Sequence, residues 1–138
     1  MTIAAQRGAS AGTRAVLERY LASQHTDLGM MAHDVVFTTM ATGEEHHGRE
    51  QVRAMLHHIY HVAFDAHAEV RTLVCEDAHA VLEGLFVGRH TGHFAGIAPT
   101  GREVRVPLCV VYDLTAGEIR RARVYLELPV MMQQLGVG

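Results

Sequence analysis

Two alternating apolar segments and the long connection between them constrain this chain more than any other feature. Residues 79–87 (HAVLEGLFV) and 103–112 (EVRVPLCVVY) are rich in the β-branched and aromatic side chains that fit a pleated, half-buried surface. Between them, residues 88–102 read GRHTGHFAGIAPTGR. Gly92 and Gly96 loosen that stretch, and Pro99-Thr100-Gly101 combines a fixed φ with a residue that tolerates positive φ, so the chain reverses. The pair is a long-looped hairpin.

More strands follow the same period. Residues 68–75, 79–91, 103–114 and 118–128 are expected as four successive strands, with Ala116-Gly117 as a tight turn and Pro129 as a stop. On the third, Val104, Val106, Leu108, Val110 and Tyr112 alternate with Glu103, Arg105, Pro107, Cys109 and Asp113, so the first set should face the core. On the fourth, Ala122, Val124 and Leu126 should face inward, with Arg121, Arg123, Tyr125 and Glu127 facing out. On residues 80–91, Leu82, Phe86 and His90 share a face with Gly84 and Gly88, and the missing side chains should leave room for a ligand beside Phe86.

The first half has helical spacing instead. Thr13 can cap a helix carrying Val16, Leu17, Tyr20 and Leu21 on one stripe, and Thr26 or Asp27 can open a second short helix through Met31. Residues 34–40 read as a strand and 41–45 as its turn, with His46-His47 continuing the turn. Gly48-Arg49 introduces a third helix to about Val62, with Val52, Leu56, Ile59 and Ala63 inside, Met55 and Tyr60 flanking, and Arg49, Glu50 and Arg53 solvated. Residues 130–135 can form a closing helical turn. Helices first and strands afterwards predict an α+β fold, a curved antiparallel sheet wrapped around three helices as a cone with an internal pocket. Residues 1–12 are expected to be a flexible leader, neither signal peptide nor membrane anchor, and residues 13–138 a single domain.

Composition excludes several classes. A chain of 138 residues, 49% hydrophobic and 20% charged, makes one domain that buries roughly two-thirds of its unfolded surface. A net charge of −3 and the lack of a basic block argue against nucleic acid, and no membrane partner is expected. Protonating the eleven histidines would reverse the sign of that charge. Cys75 and Cys109 lie far apart inside strand-like runs and read as buried thiols in a reduced, cytoplasmic setting. No phosphate loop, GxSxG motif or paired cysteine nucleophile is present.

The run from Gly88 to Arg102, together with Tyr20, Gly48-Arg49, Gly117-x-Ile119 and Gln134-Leu135-Gly136, resembles the SnoaL-type polyketide cyclases, including those that close the last ring of anthracycline precursors. The resemblance spans most of the chain from Tyr20 onward. It implies a ketosteroid isomerase-like cone, a homodimer formed through the outer sheet face, and a pocket for a keto-rich or anionic polyketide. It also implies an aspartate on the last strand that acts as acid and base in an intramolecular aldol closure. Here that aspartate falls on Val124, and the family's glutamine and histidine on the preceding strand fall on Leu108 and Val110. A valine can neither give nor take a proton, so the chemistry needs another group.

His90, Tyr20 and Tyr60 are the candidate catalytic side chains, an imidazole and two phenols that could orient a carbonyl. Phe37, Leu56, Phe86, Leu108, Val110, Tyr112 and Val124 are the candidate substrate contacts. Glu127 should point outward unless a bulge intervenes. His57 and His61 lie one helical turn apart, but a catalytic zinc needs a third ligand and an open position, so neither metal nor cofactor is expected, and His58 should face water. Arg120, Arg121 and Arg123 are expected to pair with Glu103 and Asp113 across the sheet. Three functions fit: a cyclase or isomerase of an apolar polyketide-like substrate, a non-catalytic carrier or sensor of an apolar ligand, and an epoxide-type hydrolase, which would need an inward carboxylate pair.

Overall fold

The computed structural model describes residues 3–137, with side chains from residue 11. Helix α1 (Ile3–Ala22) leads into β1 (Met31–Thr39) and β2 (Glu44–His47). Helix α2 (Gly48–His57) follows and runs directly into a π turn (His58–Val62). The strands β3 (Phe64–Cys75), β4 (His79–His90), β5 (Glu103–Thr115) and β6 (Glu118–Leu126) then precede α3 (Leu128–Gln134). The six strands form one curved, unclosed sheet in the order β2-β1-β6-β5-β4-β3, against which the three helices pack.

The sheet is mixed, not wholly antiparallel. β1 lies parallel to β6 and joins it to the β1–β2 hairpin, while every other neighbouring pair is antiparallel. The β1 to β6 connection spans most of the chain, which allows a parallel pairing that no short hairpin could make. The alternation expected on β5 holds: Val104, Val106, Leu108, Val110 and Tyr112 are all buried. Two rows of side chains cross the inner face. Glu44, Thr39, Val124, Val110 and Leu82 lie side by side in one row, and His46, Phe37, Ala122, Tyr112 and Ala80 in the next.

Four local expectations change. Thr13 does not cap α1, which begins ten residues earlier; its hydroxyl is buried and donates to the carbonyl of Asp77 at 3.0 Å, tying the helix to the β3–β4 turn. Residues 26–31 form no helix, because Ser23 and Asp27 use their side-chain oxygens to accept the backbone N–H groups of Asp27 and Gly29, which holds the chain in turns. Residues 44–47 are a strand rather than a turn. Arg49 is not solvated: its Nε donates to the carbonyl of Met31 at 2.9 Å and its Nη2 to the same oxygen, pinning the start of α2 to β1.

The glycines of β4 also act differently from expectation. A Cβ on Gly84 would lie 2.1 Å from the carbonyl oxygen of Glu69, and one on Gly88 would lie 2.4 Å from that of Asp65. The space beside Phe86 is therefore filled by the β3 backbone, which bulges between Val70 and Thr72 and curls over β4. These glycines permit the curvature of the sheet. They do not open the pocket.

Of the charge pairs expected across the sheet, one forms as expected and the others find different partners. Arg123 holds Asp113 through two bonds of 2.7 and 3.1 Å, whereas Arg120 reaches Asp34 and Glu103 pairs with Arg89. Among the described residues no helix is long and apolar enough to cross a membrane.

Candidate active site

A cavity of about 470 Å3 lies between the helices and the inner face of the sheet. Tyr20, Phe37, Leu56, Tyr60, Phe86, Leu108, Val110, Tyr112 and Val124 all line it, so nine of the ten candidate residues converge on one place. Each arrives there by an identifiable route. Tyr20 comes from the apolar stripe of α1, Leu56 from the buried face of α2, and the sheet residues from the alternation of β1, β4, β5 and β6. Tyr60 depends on the π turn, in which the N–H of Ala63 reaches back five residues to the carbonyl of His58 at 2.7 Å. The wider turn brings His58, Ile59 and Tyr60 onto the cavity side together.

His90 is the exception. It is fully buried, yet it does not line the cavity. Its Nδ1 accepts the backbone N–H of Thr100 at 3.1 Å and lies 3.0 Å from the Thr100 hydroxyl, while its ring packs on Phe64 with centroids 5.1 Å apart. The backbone N–H of His90 donates to Arg102, and its carbonyl accepts from Gly101. His90 thus closes the base of the 91–102 loop, whose Phe94 and Ala95 reach the cavity wall in its place.

Several polar side chains that sequence reasoning did not place there also line the cavity. Glu44 and His46 project inward from β2, with Oε1 and Nε2 3.0 Å apart, and Thr39 and Thr42 stand beside them at the same rim. Reading residues 41–45 as a turn concealed this; folding β2 back on β1 about Ala41–Gly43, so that His46 opposes Phe37, would have shown it. His58 is exposed, as expected, but it also borders the cavity.

His25 lines it as well, and no local pattern gave a signal for it. It follows α1 in a left-handed backbone conformation (φ 65°), and so does Gln24 before it (φ 54°). Two successive non-glycine residues in that region are costly and persist only where the surroundings enforce them. The His25 ring stacks on Tyr60 with centroids 4.4 Å apart and planes 10° from parallel, and meets Tyr20 edge-on at 5.2 Å. Burial lowers its pKa from 6.5 to about 4, and the nearby His61 acts in the same direction. Burial also pushes the phenols of Tyr20, Tyr60 and Tyr112 above their ordinary range, so all three remain O–H donors.

The Tyr20 hydroxyl is fully buried and has no hydrogen-bond partner among the described residues. Buried hydroxyls ordinarily find one. An uncommitted donor in an apolar chamber is suited to a carbonyl oxygen, and the low local dielectric strengthens such a bond. Elsewhere, the His57 and His61 rings lie 5.6 Å apart on an exposed face, and no three metal-ligating side chains converge among the described residues.

Helices held in a curved open sheet around an apolar chamber define the ketosteroid isomerase-like fold. The structure superposes on a protein of Jannaschia sp. CCS1 described as a SnoaL-like polyketide cyclase, with a TM-score of 0.83, 18% identity and coverage of 94% of both chains. TsrD from Streptomyces laurentii gives a TM-score of 0.78 at 25% identity over 93% of this chain and 97% of that one. A protein of Catenulispora acidiphila described as having a ketosteroid isomerase-like fold, solved in complex with trimethylamine, gives a TM-score of 0.72 at 18% identity over 89% of this chain and 93% of that one. A family model for SnoaL-like polyketide cyclase matches residues 16–135. The chain belongs to that family. Curated protein sequences give no match.

Proposed function

We propose that this chain is a cyclase or isomerase acting on an apolar, carbonyl-bearing, polyketide-like molecule. The observation that carries the reading is the unpartnered Tyr20 hydroxyl in a mostly apolar cavity of about 470 Å3. That volume suits a drug-sized ligand of fused rings, held mainly by shape. Aromatic and aliphatic walls supply the fit, and a few donors fix orientation. The phenols of Tyr20, Tyr60 and Tyr112 are the donors that would bind a ketone oxygen and stabilise the negative charge it gains on enolisation. With a valine at position 124, where the family resemblance implies an acid, ring closure here rests on positioning and on these donors.

The test is incubation with a tricyclic polyketide ester bearing a 1,3-dicarbonyl arm, with ring closure followed by absorbance and mass. Wild-type protein should give the cyclised product faster than buffer, and Tyr20→Phe should cost at least about tenfold. Tight binding with no product from such esters or from simple cyclic ketones would point to a carrier and end the enzyme reading.

A further inference from the structure

We infer that His25 is the proton-transferring group of this cavity, a role that rests on the ketone reading above and adds the base it lacks. Three observations place it there. His25 lines the main chamber between Tyr20 and Tyr60, beside the donors that would hold a carbonyl oxygen. It also lines a second cavity of about 290 Å3, bounded by Gln24, His67 and Val70, so that His25 and Ala68 form the partition between the two. Finally, its left-handed backbone is strain kept at a position where no turn requires a histidine.

The step balances without a co-reactant. An unprotonated ring nitrogen of His25 takes the proton from the carbon α to the carbonyl, the C–H pair becomes the C=C bond of the enolate, and the carbonyl π pair moves to the oxygen held by a phenol O–H. In an isomerisation the imidazolium returns the proton to a different carbon. In a cyclisation the enolate carbon bonds to a second carbonyl carbon, and the proton goes to the alkoxide formed there. Burial keeps the ring unprotonated near neutrality, and charge developing on the oxygen favours the imidazolium once the proton has moved. The groups facing His25 are Tyr20 from α1, Tyr60 and His61 from the π turn, and His67 of β3 across the second cavity. No carboxylate lines that second cavity among the described residues, so nothing there holds the imidazolium in place. The second cavity gives the ring a route to exchange its proton with solvent.

The experiment uses 2-tetralone, a bicyclic ketone with acidic α protons, and follows both its binding and its α-proton exchange in D2O by NMR. Wild-type protein should bind it and accelerate exchange over buffer. His25→Asn, which tolerates the left-handed backbone, should keep the Kd within about threefold and lose about a hundredfold in exchange. His25→Gly should lose as much and recover when imidazole is added, with recovery following the fraction of unprotonated imidazole. A purely packing histidine would show no such pH-dependent rescue. Binding with undiminished exchange in His25→Asn, or failure of imidazole to restore His25→Gly, overturns the base role and leaves the ketone reading standing. No binding to wild type overturns both.

Discussion

The carbonyl oxygen of Glu69 occupies the place where a side chain on residue 84 would begin, 2.1 Å from the position of a Cβ. β3 can close over β4 only because β4 has no side chain there, and the resulting curl forms the wall that carries Ala68 to both cavities. Gly84→Ala must displace backbone rather than a flexible side-chain tip. It should cost about 1–3 kcal/mol in urea unfolding, and unchanged stability would mean that the close approach contributes nothing to the fold.

Tyr20→Phe should separate stability from function. Removing a buried hydroxyl without a partner takes away a desolvation cost, so the ligand-free variant should be as stable as wild type or more stable by about 1 kcal/mol. The same change should weaken ketone binding and turnover. Thermal unfolding and a binding titration on the same sample check the two signs together.

His25 makes stability depend on pH in a defined window. Its folded value of about 4 lies below its ordinary 6.5, so between those values the unfolded chain holds a proton that the folded chain refuses. Stability should therefore rise with pH across the window and fall as pH drops from 6.5 towards 4, with a slope approaching about 1.4 kcal/mol per pH unit. Urea unfolding at half-unit intervals should show this slope in wild type and a flatter profile in His25→Asn.

Asp113 acts in the same sense as His25 but at lower pH. The bidentate Arg123 guanidinium, supported by His79 at 3.1 Å, holds the Asp113 carboxyl below its ordinary range. Its contribution is complete above the unfolded value near 4 and is lost as pH falls through the lower folded value. Asp113→Asn should cost about 1 kcal/mol at pH 7, less in high salt, and the difference from wild type should shrink on acidification to pH 3.

His90→Ala should act on the fold. The ring supports Phe64 and accepts the Thr100 N–H, so its loss should cost about 2–4 kcal/mol by the measure of other buried large-to-small changes. At a temperature where the variant remains folded, ligand affinity should change little. Proteolysis within residues 91–102 should accelerate, and an unchanged cleavage rate would count against His90 as the anchor of that loop.

Much of the chamber could be read from period alone. Alternation on β5 and β6 placed Leu108, Val110, Tyr112 and Val124 inward, and helical spacing placed Tyr20 and Leu56, because burying one face of a strand or helix leaves a regular trace in the sequence. Other features left no such trace. Glycine at positions 84 and 88 was compatible with open space or with an approaching backbone, and only the path of β3 distinguished them. His90 shared a face with Phe86, but the 91–102 loop folds beneath it and seals it off.

What the chain determined by itself was the facing of β5 and β6, the apolar character of the hollow they help to enclose, and the inward place of Val124, whose side chain cannot carry a proton. Each follows from the order of side chains along one element, which local geometry converts directly into direction. Tertiary structure alone decided which polar groups enter that hollow. His25, Glu44 and His46 reach it through a strained helix exit and an edge strand, and their neighbours there come from segments distant in sequence. No periodicity records such a meeting, because it depends on how separate elements cross in space.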